Sequence, residues 1–458
     1  MVLPFIPVKA LPVLAAGAFA AASYPPIPVD LTTPVQQRIA LNGPNSVSIG
    51  WNTYKQLSEP CVTYGTSNSS LTEKACSQLS VTYPTSRTWS NSVTLNDLSP
   101  ATAYYYKIAS TNSSVDHFFS PRIAGDKTPF SINAIIDLGV VGPDGYTIQN
   151  DQMKRDIIPT IDPSLNHTTI QRLANTVNDY EFVIHPGDLA YADDWIETPK
   201  NIFDGINAYQ AILEQFYNQL APIAGHYAYS IYFYSANTNA KISANKAQQL
   251  ANPPFWFSFE YGMAHIVMID TETDFANAPD GPDASAGLNG GPFVILNQQL
   301  VFLEVDLSSV DRTITPWLIV GGHRPWYSTG GSGCPPCQPA FEALFYKYGV
   351  DLGVFGHVHN SQRFLPVFNG TADLAGMTDP KAPMYIVAGG AGNIEGLSSV
   401  GSKLSYTAFA YADDFSYATI RFLDRQNLQV DFYQSSTCAL LDSSKLFKSH
   451  NQQFVVQL

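Results

Sequence analysis

From about residue 130 onward the chain contains near-continuous apolar runs, each of which stops abruptly at a polar residue. The runs are Ile132–Ile136, Phe182–Ile184, Ile266–Ile269, Trp317–Val320 and Val350–Phe355. Such runs are typical of strands buried on both faces, because a strand with one face in water alternates apolar and polar residues. Segments with helical character lie between them, at 208–220 and 339–348. This part of the chain therefore predicts an α/β domain whose sheets are covered on both faces.

A different pattern precedes residue 130. Short alternating runs are separated by Gly, Asn, Pro and Ser turns, which is typical of a small β-sandwich. The segment 98–106, Leu-Ser-Pro-Ala-Thr-Ala-Tyr-Tyr-Tyr, is like the entry to a late strand of a fibronectin type III-like module, and the polar segment 120–129 indicates a linker. Because 458 residues exceed one average domain, we expect two. They are a fibronectin type III-like all-β sandwich over residues 30–124 and an α/β domain over residues 130–458.

The N-terminus has the pattern of a secretory signal peptide. Lys9 precedes an apolar stretch, Ala10–Ala22, that ends in small residues. We expect residues 1–22 to be removed and the protein to be secreted; an ordinary apolar N-terminal segment is the alternative. No other stretch is long and apolar enough to span a membrane. Four sequons agree with export and predict N-glycans at Asn68, Asn112, Asn166 and Asn369.

Five cysteines constrain the exported chain further, because export permits disulfides. Cys61 and Cys76 are close enough in sequence for a disulfide to join the two strands of a hairpin. Cys334 and Cys337 lie in a Gly/Pro-rich loop. The second pair also fits a redox or zinc motif, but no further pair accompanies it, which favours a disulfide within the loop. Cys438 is left over, so a free thiol, an intermolecular bond and a missing partner all remain open.

The charge balance excludes one class of partner. The chain carries 24 Lys and Arg against 38 Asp and Glu, a formal net charge of −14. Proteins that bind nucleic acids use surplus Lys and Arg against the phosphate backbone, so no nucleic-acid partner is expected. An acidic protein that acts on phosphates needs another source of positive charge, which metal ions would supply.

Carboxylate, phenol and imidazole side chains follow the ends of four apolar runs. They are Asp137 after one run, Asp188 and Tyr191 after another, His323 after a third, and His357 with His359 after a fourth. Open α/β folds build their sites just past the carboxyl ends of strands. Oxygen and imidazole ligands suit Fe, Zn or Mn and need no thiolate. Each motif alone is more often an ordinary strand end, but the ordered set predicts a metal site in which Asp188 can bridge two ions.

The order Asp-x-Gly, Gly-Asp-x-x-Tyr, Val-x-x-His, Gly-His-x-His resembles that of the purple acid phosphatases, a branch of the calcineurin-like metallophosphoesterases. Longer segments resemble the fungal secreted members and extend the resemblance over nearly the whole mature chain. They are Phe255–Met263, Asp270–Asp274, His323–Tyr327 and Gly389–Glu395. The resemblance implies a four-layer α/β domain with two central mixed β-sheets flanked by helices, preceded by the sandwich.

The resemblance also implies the metals and the reaction. The implied ligands are Asp137, Asp188, Tyr191 and His359 for a ferric ion, and Asp188, His323 and His357 for a divalent ion, Zn, Fe or Mn. In the family, charge transfer from tyrosinate to iron gives the purple colour. A hydroxide on the metals attacks phosphorus in line as the alkoxide leaves. The implied activity is hydrolysis of phosphate monoesters in acid, with small organic phosphates such as phytate as substrates.

One motif of the family is absent. Relatives carry Gly-Asn-His-Glu or Gly-Asn-His-Asp, which supplies an asparagine ligand of the divalent metal and a histidine beside the phosphate. This chain follows the family to Gly225, continues with His226, and resumes the resemblance at Asn252. Asn237 and Asn239 are candidate replacements. An error in assembling the coding sequence, a genuine loss and a replacement all remain open, so the alternative function is that of a catalytically impaired homologue acting as a binding protein.

Overall fold

The computed structural model describes residues 25–139, 167–192, 205–224, 228–231, 246–280, 296–331, 333–450 and 454–457. The expected signal peptide, residues 1–22, lies outside these residues, and so do the sequon residue Asn166 and the segment with Gly225, His226, Asn237 and Asn239. Among the described helices, none is long and apolar enough to cross a membrane.

The N-terminal part is a sandwich of two antiparallel sheets. Its strands are β1 (Val35–Gly43), β2 (Ser46–Thr53), β3 (Cys61–Gly65), β4 (Glu73–Cys76), β5 (Ser80–Val81), β6 (Trp89–Leu95), β7 (Ala103–Ile108) and β8 (Asp116–Phe119). One sheet has the order β1-β2-β6-β5 and the other β4-β3-β7-β8. Alternate residues of both sheets face inward and bury a core around Trp51 and Phe118. The predicted all-β sandwich is confirmed.

The first sheet of the C-terminal part has the order β25-β24-β23-β9-β11-β13. Its strands are β9 (Phe130–Ala134), β11 (Phe182–His185), β13 (Ala228–Ile231), β23 (Ser416–Phe422), β24 (Asn427–Gln434) and β25 (Leu440–Phe447). Strands β9, β11 and β13 run parallel, whereas β23 pairs with β9 in the antiparallel direction. This sheet is therefore mixed, as predicted.

The second sheet has the order β14-β15-β16-β17-β21-β18-β22 and is also mixed. Its strands are β14 (Phe257–Tyr261), β15 (Ala264–Met268), β16 (Trp317–Gly321), β17 (Leu352–Phe355), β18 (Ser361–Phe364), β21 (Met384–Ala388) and β22 (Thr407–Tyr411). Two short ribbons complete the described strands, β10 (Leu138–Gly139) with β12 (Leu189–Ala190), and β19 (Val367–Phe368) with β20 (Thr371–Ala372).

The two mixed sheets pack face to face, and helices cover their outer faces. Two helices pack on the first sheet, α1 (Thr168–Asn175) and α2 (Gly205–Ala224). Two others pack on the second sheet, α3 (Gln298–Ser309) and α4 (Ala343–Lys347). Helix α4 follows a π-helical turn (Gln338–Glu342). Short 3-10 turns occupy Val177–Asp179 and Lys246–Gln249. Ile266 and Ile319 point between the sheets while Val267 and Val320 point to the helices, which explains why these two runs are apolar throughout. The predicted four-layer fold is confirmed.

The sandwich is joined to the first mixed sheet. Strand β1 pairs in parallel with β13 at Ile39 and Ala228, so one ten-stranded sheet runs through both parts. Next to this junction the guanidinium of Arg87 contacts the buried carboxylate of Glu214 on α2 at 2.6 Å. The segment after the sandwich has no regular secondary structure. Its Arg122 attaches it to the start of β11, because the guanidinium contacts Glu181 at 2.6 Å.

A buried ion pair holds helix α3 to the edge of the second sheet. His265 Nε2 lies 2.8 Å from Asp306 Oδ2, and both side chains are fully buried. Ser258 donates a hydrogen bond to the other oxygen of Asp306 at 2.5 Å. Burial opposes the charge of His265, but the carboxylate of Asp306 outweighs it and raises the pKa of His265 to about 9. His265 therefore keeps its proton throughout the acidic and neutral range.

This ion pair predicts a pH-dependent contribution to stability. A folded pKa above the unfolded value near 6.5 stabilises the protein below pH 6.5, and the stabilisation disappears as the pH rises through about 9. We expect His265→Gln to lower the free energy of unfolding at pH 5 by about 3 kcal/mol more than at pH 10. Urea denaturation at both pH values measures the difference. Asp306→Asn should remove most of this pH dependence, and the rest comes from Glu260, whose Oε1 lies 3.8 Å from His265 Nδ1 and which also raises the pKa of His265. An equal loss at both pH values for His265→Gln would contradict this prediction.

Candidate functional site

Both mixed sheets deliver the predicted side chains at the carboxyl ends of parallel strands. Asp137 follows β9; Asp188 and Tyr191 follow β11; His323 follows β16; His357 and His359 follow β17. Strand β9 is parallel to β11, and β16 is parallel to β17. The loops after each pair therefore leave the same edge of their sheet, and contacts between Asp137, His323 and His357 join the two edges.

Asp137 is the fully buried centre of this cluster. Its Oδ1 lies 3.2 Å from His323 Nε2 and 3.4 Å from the backbone nitrogen of Asp188. Its Oδ2 accepts a hydrogen bond from the backbone nitrogen of His357. The carboxylate thus contacts the loops of three strands.

Glycines leave the space that the Asp137 carboxylate occupies. A Cβ atom added to Gly187 would lie 2.9 Å from Oδ1, and one added to Gly356 or Gly389 would lie 2.6 or 2.7 Å from Oδ2. Real Cβ atoms essentially never come so close. The same Cβ atoms would also lie within 2.6 Å of Ile136 Cγ2 at Gly187 and Gly356, and of the carbonyl oxygen of Val358 at Gly389. The carboxylate and its packed neighbours therefore restrict these positions to glycine together.

Asp188, His323 and His357 form a potential ligand group. Each offers one ligand atom, and these atoms all lie within 4.8 Å of one another. The two imidazole rings are nearly perpendicular, with centroids 5.0 Å apart. His323 Nε2 is buried and makes no hydrogen bond, although it lies within ion-pair distance of Asp137 and Asp188. A buried ring nitrogen without a hydrogen bond is costly unless something else binds it.

Tyr191 and His359 form a second pair beside Asp137. The Tyr191 hydroxyl lies 2.9 Å from His359 Nε2, and both side chains are buried. The other ring nitrogen of His359 lies 3.2 Å from the carbonyl oxygen of Gly396, which orients the ring. Tyr191 has a φ of 53°, Asp137 of 60° and His357 of 63°. Non-glycine residues rarely adopt this strained region, and such strain clusters at functional sites.

The charges of the cluster depend on one another. Burial opposes the charge of His323, but Asp188 and Asp137 outweigh it and raise the pKa of this histidine well above its ordinary value. Burial, together with the neighbouring His323, lowers the pKa of His357 to about 3. Burial raises the pKa of Asp188. Without a bound cation, the protonated His323 therefore supplies the positive charge that faces the carboxylates of Asp137 and Asp188.

The structure adds two residues that the sequence had not assigned to the site. Glu272 Oε1 lies 2.5 Å from His323 Nδ1, and Glu272 Oε2 accepts a 2.5 Å hydrogen bond from Arg324 Nε. Arg324 Nη1 lies 2.9 Å from His357 Nε2. Both residues lie in segments that resemble the fungal phosphatases, and Glu272 comes just past the apolar run that ends at Ile269. That position is the signal by which the sequence could have indicated Glu272.

Asparagine side chains beside the cluster have other partners. Asn393 donates to the carbonyl oxygen of Asp137 at 2.9 Å, and Asn360 donates to the carbonyl oxygen of Ser398 at 3.2 Å. The candidates Asn237 and Asn239 lie outside the described residues.

The remaining predicted residues lie away from the cluster. The structure joins Cys61 to Cys76 and Cys334 to Cys337 by disulfide bonds and leaves Cys438 free. Three sequon asparagines are exposed, as a glycan would require: Asn68, Asn112 and Asn369.

Three family models match the chain. The purple acid phosphatase N-terminal domain matches residues 34–122, and the calcineurin-like phosphoesterase matches residues 164–361. The iron/zinc purple acid phosphatase-like protein C domain matches residues 382–443. The calcineurin-like phosphoesterase match runs from the segment before α1 to the start of β18. It includes five of the six proposed ligands and the position of the missing motif. The sixth proposed ligand, Asp137, precedes it.

A solved structure has a similar fold. The purple acid phosphatase from yellow lupin (Lupinus luteus) seeds gives a TM-score of 0.67 over 91% of this chain and 75% of that chain, at 21% identity. This similarity supports the architecture alone.

Curated relatives give closer matches. Acid phosphatase A of Cryphonectria parasitica is 58% identical over 98% of each chain, and an acid phosphatase of Aspergillus ficuum is 35% identical over 42% of this chain and 38% of its own. The first alignment spans 496 positions whereas this chain has 458 residues, so at least 38 positions of the relative have no counterpart here. At this identity and coverage the chain belongs to the purple acid phosphatase family.

Proposed function

We propose that the protein is a secreted acid phosphatase that hydrolyses phosphate monoesters at a dinuclear centre of Fe(III) and a divalent metal, Zn, Fe or Mn. The observation that carries this proposal is the convergence of Asp188, His323 and His357, whose ligand atoms lie within 4.8 Å of one another. The 58% identity to acid phosphatase A of Cryphonectria parasitica supports the same activity.

The donor set fits such a centre. We assign Asp137, Asp188, Tyr191 and His359 to the ferric ion, and Asp188, His323 and His357 to the divalent ion. Carboxylate, phenolate and imidazole are the donors that Fe and Zn accept. Two observations support cation binding. His323 Nε2 is buried without a hydrogen bond, and His357 Nε2 faces a guanidinium, which can only donate and so requires a free electron pair on that nitrogen.

The protein side chains have distinct tasks in this proposal. When bound, the metal ions would activate a water molecule as the nucleophile and neutralise the phosphate oxygens. Asp137 fixes the geometry because it is fully buried between three glycines. Glu272 orients His323 through Nδ1, as carboxylates often do for metal-binding histidines. Asp188 reaches the open side of the site, since its side chain is 50% exposed.

We further propose export and glycosylation. The N-terminal pattern at residues 1–22 supports a signal peptide. The exposed sequon residues Asn68, Asn112 and Asn369 support glycans, with Asn166 as a fourth site from sequence alone. The substrates are small organic phosphates, with phytate among the candidates. The net charge of −14 argues against a nucleic-acid substrate.

The alternative, an impaired homologue acting as a binding protein, has one observation in its favour. The Gly-Asn-His motif is missing, and at least 38 positions of the Cryphonectria relative have no counterpart. The enzymatic function is favoured because the described part of the chain retains all six proposed ligand residues. Metal content distinguishes the two functions.

Purified protein should hydrolyse an aryl phosphate monoester at acidic pH and absorb visible light through charge transfer from Tyr191. Elemental analysis, absorption spectroscopy and the assay with added divalent metal test this together. Tyr191→Phe should lose the visible band, because it removes the phenolate donor; Tyr209→Phe, on helix α2, serves as a tyrosine control that keeps the band. A protein that contains iron and a divalent metal but leaves the ester intact would overturn the proposed function.

A further inference from the structure

Arg324 is held against the proposed ligand set by Glu272. Arg324 Nε donates to Glu272 Oε2 at 2.5 Å, and the other oxygen of this carboxylate lies 2.5 Å from His323 Nδ1. The backbone nitrogen of Arg324 donates to Thr271 Oγ1 at 2.7 Å. One carboxylate therefore fixes both a proposed metal ligand and the arginine that follows it in sequence.

The guanidinium lies on the open side of the site. The side chain of Arg324 is 25% exposed and that of Asp188 is 50% exposed, whereas that of Asp137 is fully buried. Arg324 Nη1 contacts His357 Nε2 at 2.9 Å. Within the described part of the chain, no residue accepts a hydrogen bond from Nη2. The arginine thus combines a position supported by a carboxylate with a partly exposed guanidinium.

We propose that Arg324, positioned by Glu272, binds the phosphate group of the substrate; this inference rests on the function proposed above. With Nε committed to Glu272, the two Nη groups remain for phosphate oxygens, which match the planar guanidinium fork. A metal ion at His357 Nε2 would occupy the electron pair that Nη1 now faces, so Nη1 would move off this nitrogen and become available to a phosphate oxygen.

The negative charge of the molecule makes the positive charge of Arg324 more important for binding phosphate. The chain has a net charge of −14 and lacks the motif that places a histidine beside the phosphate in relatives. Arg324 supplies a permanent positive charge at the same centre. Above the second phosphate pKa, at about 6, a monoester is dianionic and gains more from this charge than a monoanionic diester does. Arg324 therefore favours monoesters over diesters most strongly in that pH range.

Arg324→Gln tests the inference by binding rather than by turnover. Calorimetric titration with inorganic phosphate should give a dissociation constant about 10- to 100-fold above that of the wild type, the range expected for a charged hydrogen bond. Elemental analysis should show an unchanged metal content. Arg324→Lys keeps the charge without the fork and should lose less. The KM for an aryl monoester should rise more than the KM for a bis-aryl diester.

Two further variants separate the role of Arg324 from that of its support. Glu272→Gln should weaken both phosphate and metal binding, because His323 and Arg324 both lose their partner. Arg421→Gln breaks an equivalent ion pair with Asp431, at 2.7 Å in the first mixed sheet, and should change neither. Metal content and ester hydrolysis of the wild type test the proposed function separately.

Two results would overturn the inference. An unchanged phosphate dissociation constant in Arg324→Gln at unchanged metal content would exclude phosphate binding by this residue. Loss of metal in Arg324→Gln would instead make it a structural support of the ligands. Normal phosphate affinity in Glu272→Gln would refute the positioning role of Glu272.

Discussion

Asp188→Asn should lower the hydrolysis of an aryl phosphate by about a thousandfold, or about 4 kcal/mol of transition-state stabilisation, within the several kcal/mol that metal ions supply to such reactions. Asp188 is the one residue that we assign to both metals. Its Oδ2 lies 3.6 Å from His323 Nε2, and its backbone nitrogen contacts Asp137. The amide has one oxygen and no charge, so it cannot hold two cations together. In buffer with added zinc, where the wild type should hold two metal ions, we therefore expect the variant to contain one metal ion or none.

Asp431→Asn is the matched control for this loss. Asp431 is a buried carboxylate that pairs with Arg421 in the first mixed sheet, away from the cluster. It should lose stability and keep its metals. Circular dichroism and thermal unfolding of Asp188→Asn should match the wild type in secondary structure, since half of the Asp188 side chain is exposed. A folded Asp188→Asn variant that keeps two metals and full activity would refute the assignment of the bridging ligand.

Much of the fold could be predicted because a strand that is buried on both faces has a near-continuous run of apolar residues. Ile132 faces the opposite sheet and Ile135 the helices, so the run around them is apolar except for Asn133, which is buried and accepts a hydrogen bond from Thr419 Oγ1 at 2.7 Å. The sandwich could be predicted because its strands have one buried face and alternate. Neither pattern identifies the partner of an edge strand. The pairing of β1 with β13, which joins the two parts, depends on the position of both strands in space.

The ligand set could be predicted for a related reason. Carboxyl ends of neighbouring parallel strands meet at one edge of a sheet, so Asp137 had to lie near Asp188, and His323 near His357, once the strands were recognised. That the two edges meet is shown only by the contacts of Asp137 with His323 and His357. The Glu272–Arg324 pair could not be predicted from spacing, because 52 residues separate the two partners. Each side chain alone is compatible with an exposed loop. Only the three-dimensional structure shows that one carboxylate contacts both His323 and Arg324.

The divalent metal should bind this chain weakly, and grafting the missing segment should restore it. Three residues, Asp188, His323 and His357, are assigned to that metal. The amide oxygens of Asn360 and Asn393 already accept hydrogen bonds, from Gln362 Nε2 at 2.7 Å and from the backbone nitrogen of Glu395 at 2.9 Å. Loss of one ligand should cost at least the roughly 10- to 100-fold in metal affinity that loss of a supporting group costs. After dialysis against a weak chelator, we expect iron to remain and the divalent metal to be lost. Activity should then rise with added zinc or manganese.

The graft replaces residues 225–251 with a segment that carries the Gly-Asn-His-Glu motif of the family, which this chain lacks. It should retain two metals through dialysis and need no added zinc. The same graft with alanine in place of its motif asparagine is the control and should depend on added metal again, since only the amide oxygen is lost. If the ungrafted chain keeps two metals per molecule and full activity after dialysis, another residue supplies the missing ligand. In that case the shortened segment does not impair the enzyme.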